Sequence, residues 1–178
     1  MISSMRKCAE PSVGRIKGRV AVTTLLLLLL CSCATTDQTL VLAPVGPPPK
    51  SASHGKEGYL QVFSATTPVN DGGIQYLPHS SYRIYRPDGQ FVKAVRNHMT
   101  QSDQAPQRVV LPAGEYYVVA AAEGFGVVKV PVLIKGAQLT LIYLDQTEPK
   151  DLRVADEKLL VHLPNGRIVG WRSKPAQP

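Results

Sequence analysis

Cysteine is scarce in this chain, three in 178 residues, at positions 8, 31 and 33. None follows Cys33, so residues 34–178 can close no disulfide among themselves and hold no thiol chemistry. Aromatic residues are also few, at 6 %. The leucine-rich stretch at 20–30 (VAVTTLLLLLL) is too short to cross a bilayer. As a helix, eleven residues reach about 16 Å, roughly half of a hydrocarbon core. Charge of one sign is missing where it would matter for a polyanion. Of the formal +7, five basic residues (Arg6, Lys7, Arg15, Lys17, Arg19) and the acidic Glu10 precede Cys33, which leaves 15 basic and 12 acidic residues, or +3, from Cys33 onward. Nucleic-acid binding calls for a basic stripe on the folded domain, so no nucleic-acid partner is expected.

What is present at the start of the chain falls into three zones. A basic stretch ends at Arg19, the uncharged run follows, and small residues and cysteine close it, which is the layout of an export signal. The end of the run, Leu30-Cys31-Ser32-Cys33, resembles the bacterial lipobox of an apolar residue, a variable one, a small one and cysteine. The competing register, ending on Cys31, puts the bulky Leu30 at the cleavage position. The resemblance implies a lipoprotein signal peptide over 1–32, cleavage after Ser32 and lipid on Cys33. An ordinary signal peptide or an uncleaved anchor is the alternative. Stable anchoring takes at least two lipid signals, each buried methylene contributing about 0.8 kcal/mol. Lipoproteins carry a diacylglyceryl group and often an N-acyl chain, which supplies them. Ala34 and Thr35 lack the Asp that holds lipoproteins in the inner membrane, so the expected location is the cell envelope, on the outer membrane if the organism has one.

Residues 33–57 are expected to form a lipidated, Pro-rich tether. Pro47-Pro48-Pro49 favours extended polyproline II and Ser, Gly and Lys follow without a period. Leu40-Val41-Leu42 is an apolar interruption able to add an extra edge. From residue 58 the pattern changes to strands, expected at 59–63, 82–85, 91–95, 108–111, 115–122, 127–134, 139–144, 159–163 and 167–171. Arg86-Pro87-Asp88-Gly89 and Pro164-Asn165-Gly166 mark hairpins, since Pro fixes φ, Asp bonds nearby backbone and Gly supplies positive φ. Residues 67–73 are rich in turn formers, and 151–161 could hold one or two short helical turns. Short strands at regular spacing place residues 58–172 in an all-β sandwich, immunoglobulin-like or transthyretin-like, with a disordered tail at 173–178.

Residues 81–145 resemble the carboxypeptidase regulatory-like (transthyretin-like) domains and the related PEGA domains. The carrying segments are Tyr82-Arg83-Ile84-Tyr85-Arg86-Pro87-Asp88-Gly89, Leu111-Pro112-Ala113-Gly114-Glu115-Tyr116 and Glu123-Gly124-Phe125. Strands at 130–134 and 139–144 complete the likeness. The polar loop 96–107 is longer than the family's connections, and the residues after 145 extend past its unit. The resemblance implies a folding or binding module without an active site to transfer.

Candidate chemistry is thin. His54, His79, His98 and His162 pair with no partner at metal-ligand spacing. Asp145, Glu148, Asp151, Asp156 and Glu157 cluster without the Gly of a calcium loop, and Lys150, Arg153 and Lys158 intrude. His79, Ser80 and Ser81 stand together, but no nucleophile elbow or phosphate loop occurs. No catalytic, metal or cofactor residues are therefore expected. The aromatics are more informative. Tyr82 and Tyr85, and Tyr116 and Tyr117, must point to opposite faces of their strands, leaving one of each pair outside as ordinary packing or as a platform. The expected function is that of a membrane-anchored envelope lipoprotein with a non-catalytic β-sandwich that binds another envelope protein or is structural. A carbohydrate- or peptidoglycan-binding module is the alternative, and a periplasmic hydrolase a minor one. Loops 64–80 and 96–107 are the expected contact rim.

Overall fold

The computed structural model describes residues 39–49, 54–97, 105–147, 149, 152 and 155–173. Cys33, Ser32, His98, Glu148 and Asp151 lie outside these residues, as does the tail from 174. The described part is an all-β sandwich, in which strand residues alternate between core and surface with the period of two that a pleated chain imposes.

In chain order the strands are β1 (Leu40–Val41), β2 (Val45–Gly46), β3 (Glu57–Phe63), β4 (Val69–Asp71), β5 (Ile74–Tyr76), β6 (Tyr82–Tyr85) and β7 (Phe91–Val95). They continue as β8 (Arg108–Pro112), β9 (Gly114–Ala122), β10 (Gly126–Ile134), β11 (Leu139–Tyr143), β12 (Leu160–His162) and β13 (Ile168–Arg172). The larger sheet runs β12-β13-β2-β10-β9-β6-β7, with β1 also paired to β10. The smaller runs β11-β3-β8, and β4–β5 is a separate hairpin. Most neighbours are antiparallel, but β1 and β2 join β10 in parallel, and β11 joins β3 in parallel.

The core lies between the two sheets. The larger contributes Val45, Tyr82, Ile84, Val118, Val128, Val130, Val132 and Val169, and the smaller Leu60, Val62, Val109, Leu111 and Ile142. β-branched side chains dominate because they pack well on a pleated surface. Tyr116 turns inward too, and its hydroxyl donates to the carbonyl of Pro112 at 3.0 Å, clamping the Leu111–Gly114 turn.

The stretch expected to be a tether behaves differently over part of its length. Residues 39–49 join the sandwich, with Leu42 and Val45 in its core, so the folded part begins at Thr39 rather than at 58. Val45 pairs with Val132, and Gly46 with Trp171 on β13. Two-residue strands show no period of their own, and burial of Leu42 and Val45 decides their place. A second difference concerns residues 67–73, expected as a turn. Val69–Asp71 and Ile74–Tyr76 pair there around Gly72 and Gly73, at φ 56° and 89°. Two successive positive φ values suit a tight two-residue hairpin, which glycine adopts without strain. Within 151–161, a 3-10 turn forms at Glu157–Leu159, capped by the Asp156 carboxylate.

Candidate functional site

Three cross-strand pairs line up on the outer face of the larger sheet. Phe91 faces Tyr85, Tyr85 faces Tyr117, and Tyr117 faces Pro131, so the row crosses β7, β6, β9 and β10. Three strand spacings make it about 14 Å long. Its members point outward because Ile84, Val118, Val130 and Val132, their neighbours along the strands, point into the core. At the β7 end the pairing shifts by a residue between Ile84 and Tyr85, a bulge that lets Val92 turn toward the core and leaves Phe91 outside at 59 % exposure.

The row has an internal geometry. Tyr85 and Phe91 meet edge to face, with centroids 5.7 Å apart and planes at 69°. The Lys129 ammonium sits 4.0 Å from the centre of the Tyr117 ring, a cation held over a π face. Arg83 and Val119 pair beside it, and Val119 pairs with Lys129, so cationic side chains flank the aromatics. Beyond Tyr117 a groove of about 230 Å³ opens between Pro44, Pro87, Glu115, Pro131 and Leu133. Apolar rings, prolines and two cations make a surface that can take up apolar and acidic side chains together.

The sequence placed one tyrosine of each pair inside, and the structure agrees: Tyr82 and Tyr116 are buried, Tyr85 and Tyr117 half-buried. The lining-up of Tyr85, Phe91, Tyr117 and Pro131 was not foreseen, because it depends on register between distant segments. The histidines and acids do not converge. His54 is exposed and His162 half-buried. His79 is buried, and its Nδ1–H donates to the carbonyl of Ser64 at 2.6 Å, while its ring meets Phe63 edge to face. The carbonyl can only accept, so the proton sits on Nδ1 and the imidazole pins two loop ends together. The Ser64 hydroxyl donates to the carbonyl of Ser80 at 2.6 Å, which completes that clasp. Asp145 is buried and accepts from the backbone and hydroxyl of Thr147. Among the described residues no three His, Cys, Asp or Glu come together at metal-binding distance, and no helix is long and apolar enough to cross a membrane.

Loops 64–80 and 96–107, the expected contact rim, are tied together by Asn97. Its Nδ2 donates to the carbonyl of Ser80 at 3.1 Å, and its Oδ1 accepts from the backbone of Gln107 at 3.1 Å. Their described residues stand at the end of the sandwich near the β9–β10 turn, away from the aromatic row.

Comparison with known proteins adds little to this geometry. No family model and no curated protein matches the sequence. Among solved structures, the chain is similar to the Bacillus anthracis TIE protein, at 25 % identity and a TM-score of 0.35, over 51 % of this chain and 16 % of that one.

Proposed function

We propose that this chain is an exported lipoprotein, anchored through Cys33, whose β-sandwich binds another envelope protein through the outer face of its larger sheet. The observation that carries the binding role is the four-strand row Phe91–Tyr85–Tyr117–Pro131 with its flanking Arg83 and Lys129. Aromatic residues and arginine are the types that anchor protein interfaces, because their large planar groups cover much area in a desolvated contact. The carrying motifs of the transthyretin-like resemblance sit in β6, β9 and their turns, the strands that build this face, and a non-catalytic module accords with it.

The geometry favours protein over sugar. Stacking on a pyranose uses open ring faces in a common plane, whereas Tyr85 and Phe91 stand at 69° to each other and Lys129 occupies a face of Tyr117.

A photoreactive phenylalanine analogue in place of Phe91, in intact cells, tests the binding role. The expected result is one dominant protein adduct, absent when the analogue replaces Val110, which is 52 % exposed on the smaller sheet. Adducts that shift only after peptidoglycan digestion would move the assignment to the glycan-binding alternative. The anchor is tested separately: Cys33→Ser should abolish palmitate labelling, and continued labelling would refute it.

A further inference from the structure

The β4–β5 hairpin leaves its apolar side chains in the open. Val69, Ile74 and Leu77 are 46 %, 50 % and 50 % exposed, and Asp71 is the one charged residue in the sequence between Ser64 and His79. The arm overhangs a cleft of about 540 Å³ whose walls include Pro68, Leu77, Glu123 and Asp145. It therefore belongs to the end of the sandwich formed by the β9–β10 turn and the loop after β11.

The chain also enters the fold at that end. At the base of the arm, the Ala65 N–H donates to the carbonyl of Ala121 at 2.9 Å. Ala121 pairs with Val127, and the next residue, Val128, pairs with Leu40. Arm base and β1 thus occupy neighbouring rungs, three strand spacings or about 14 Å apart. Because β1 runs parallel to β10, its start at Thr39 points toward the β9–β10 turn. Val41 and Val127, 59 % and 54 % exposed, add apolar surface there.

Only residues 34–39 separate Cys33 from β1. Seven Cα-to-Cα steps span at most about 25 Å even when fully extended. We infer, on the reading that Cys33 carries lipid, that this end of the sandwich rests on the lipid surface and that the β4–β5 hairpin inserts Val69, Ile74 and Leu77 among the headgroups and upper acyl chains. Interfacial insertion draws on exposed apolar side chains, which the arm has, and its strength scales with the apolar area buried. The aromatic row then stands clear of the lipid: Tyr117 is five residues, about 17 Å, up β9 from Ala122 at the membrane end.

The test uses the lipidated full-length mature chain, purified from membranes and reconstituted in phosphatidylcholine vesicles. It contains no cysteine other than the acylated Cys33, so Ile74→Cys offers a single free thiol for an environment-sensitive fluorophore. Val110→Cys, on the smaller sheet, provides the comparison. The expected result is a blue shift at position 74 and several-fold stronger quenching there than at 110 by lipids brominated on the acyl chain. Equal, water-like emission at both positions in a chain shown by mass to carry lipid would overturn the insertion and leave the anchor standing. A mature chain without lipid would overturn both.

Discussion

The guanidinium of Arg167 donates to the main-chain carbonyl of Glu123, 44 residues away in sequence, while its Nη1 donates to the carbonyl of Asp145 at 2.8 Å. One side chain from the β12–β13 hairpin thereby ties the β9–β10 turn to the loop after β11. Arg167→Ala leaves two carbonyls without their charged donor, and hydrogen bonds to charged groups are worth about 1.5–3 kcal/mol. The expected loss is about 2 kcal/mol in urea denaturation. Arg167→Lys should recover less than half, since an ammonium cannot reach two carbonyls in the forked geometry of a guanidinium.

Gly58 matters for contact and Gly89 for φ. A Cβ on Gly58 would strike the carbonyl oxygen of Lys135, at the point where β3 begins alongside the 135–138 turn. Gly89 has open space around it but φ of +87°. Gly89→Ala should therefore cost about 1 kcal/mol of backbone strain, whereas Gly58→Ala should cost clearly more, because backbone must move. Thermal unfolding of the two variants side by side checks the order.

A chain beginning at Gly58, the boundary that sequence pattern alone favours, should fail to give a cooperative unfolding transition or should lose most of its stability. It lacks Leu42 and Val45, and the β10 and β13 edges lose the partners that β1 and β2 supply. A chain beginning at Thr39 should unfold cooperatively. Equal stability of the two would show that the first two strands are dispensable.

Alanine at Phe91 and at Ile84 should separate binding from folding. Phe91 lies outside, so its truncation should change stability by about 0.5 kcal/mol or less and abolish partner capture. Ile84 is fully buried, and its truncation should cost about 2–5 kcal/mol.

Tyr82 is buried with a hydroxyl that reaches no protein hydrogen-bond partner. Burial pushes its phenol well above the ordinary tyrosine value of 10.0. Below that value the hydroxyl is neutral in both folded and unfolded chains and pH has no effect through it. Above it the unfolded chain releases the proton first, so stability falls as pH rises. Tyr82→Phe should be neutral or stabilising by up to about 1 kcal/mol at neutral pH, and its loss of stability above pH 10 should be shallower than that of the parent chain.

Local chemistry was legible in the sequence. The β6–β7 hairpin has the expected boundaries because its turn is specified by its own residues: Gly89 takes positive φ and the Asp88 carboxylate accepts from the backbone of Gln90 at 2.9 Å. The long strands β9 and β10 show their alternation plainly. What could not be read is pairing between remote segments. Nothing near Val45 announces Val132 or Trp171, and nothing near Phe91 announces Pro131 at the far end of the same row. His79 looked like loop polarity because its burial depends on Phe63 and on the carbonyl of Ser64, fifteen residues away.

The parallel partnerships of β1 and β2 have a kinetic consequence. Leu40 must wait for Val128 and Val45 for Val132 before either strand can close. Loop-closure entropy on that scale makes such topologies slow to form, and no shorter stretch of the emerging polypeptide contains a complete sheet edge for β2. On the proposed export, the channel would receive a polymer that has not yet acquired its native form, and the last strand to arrive, β13, would lock β2 in place.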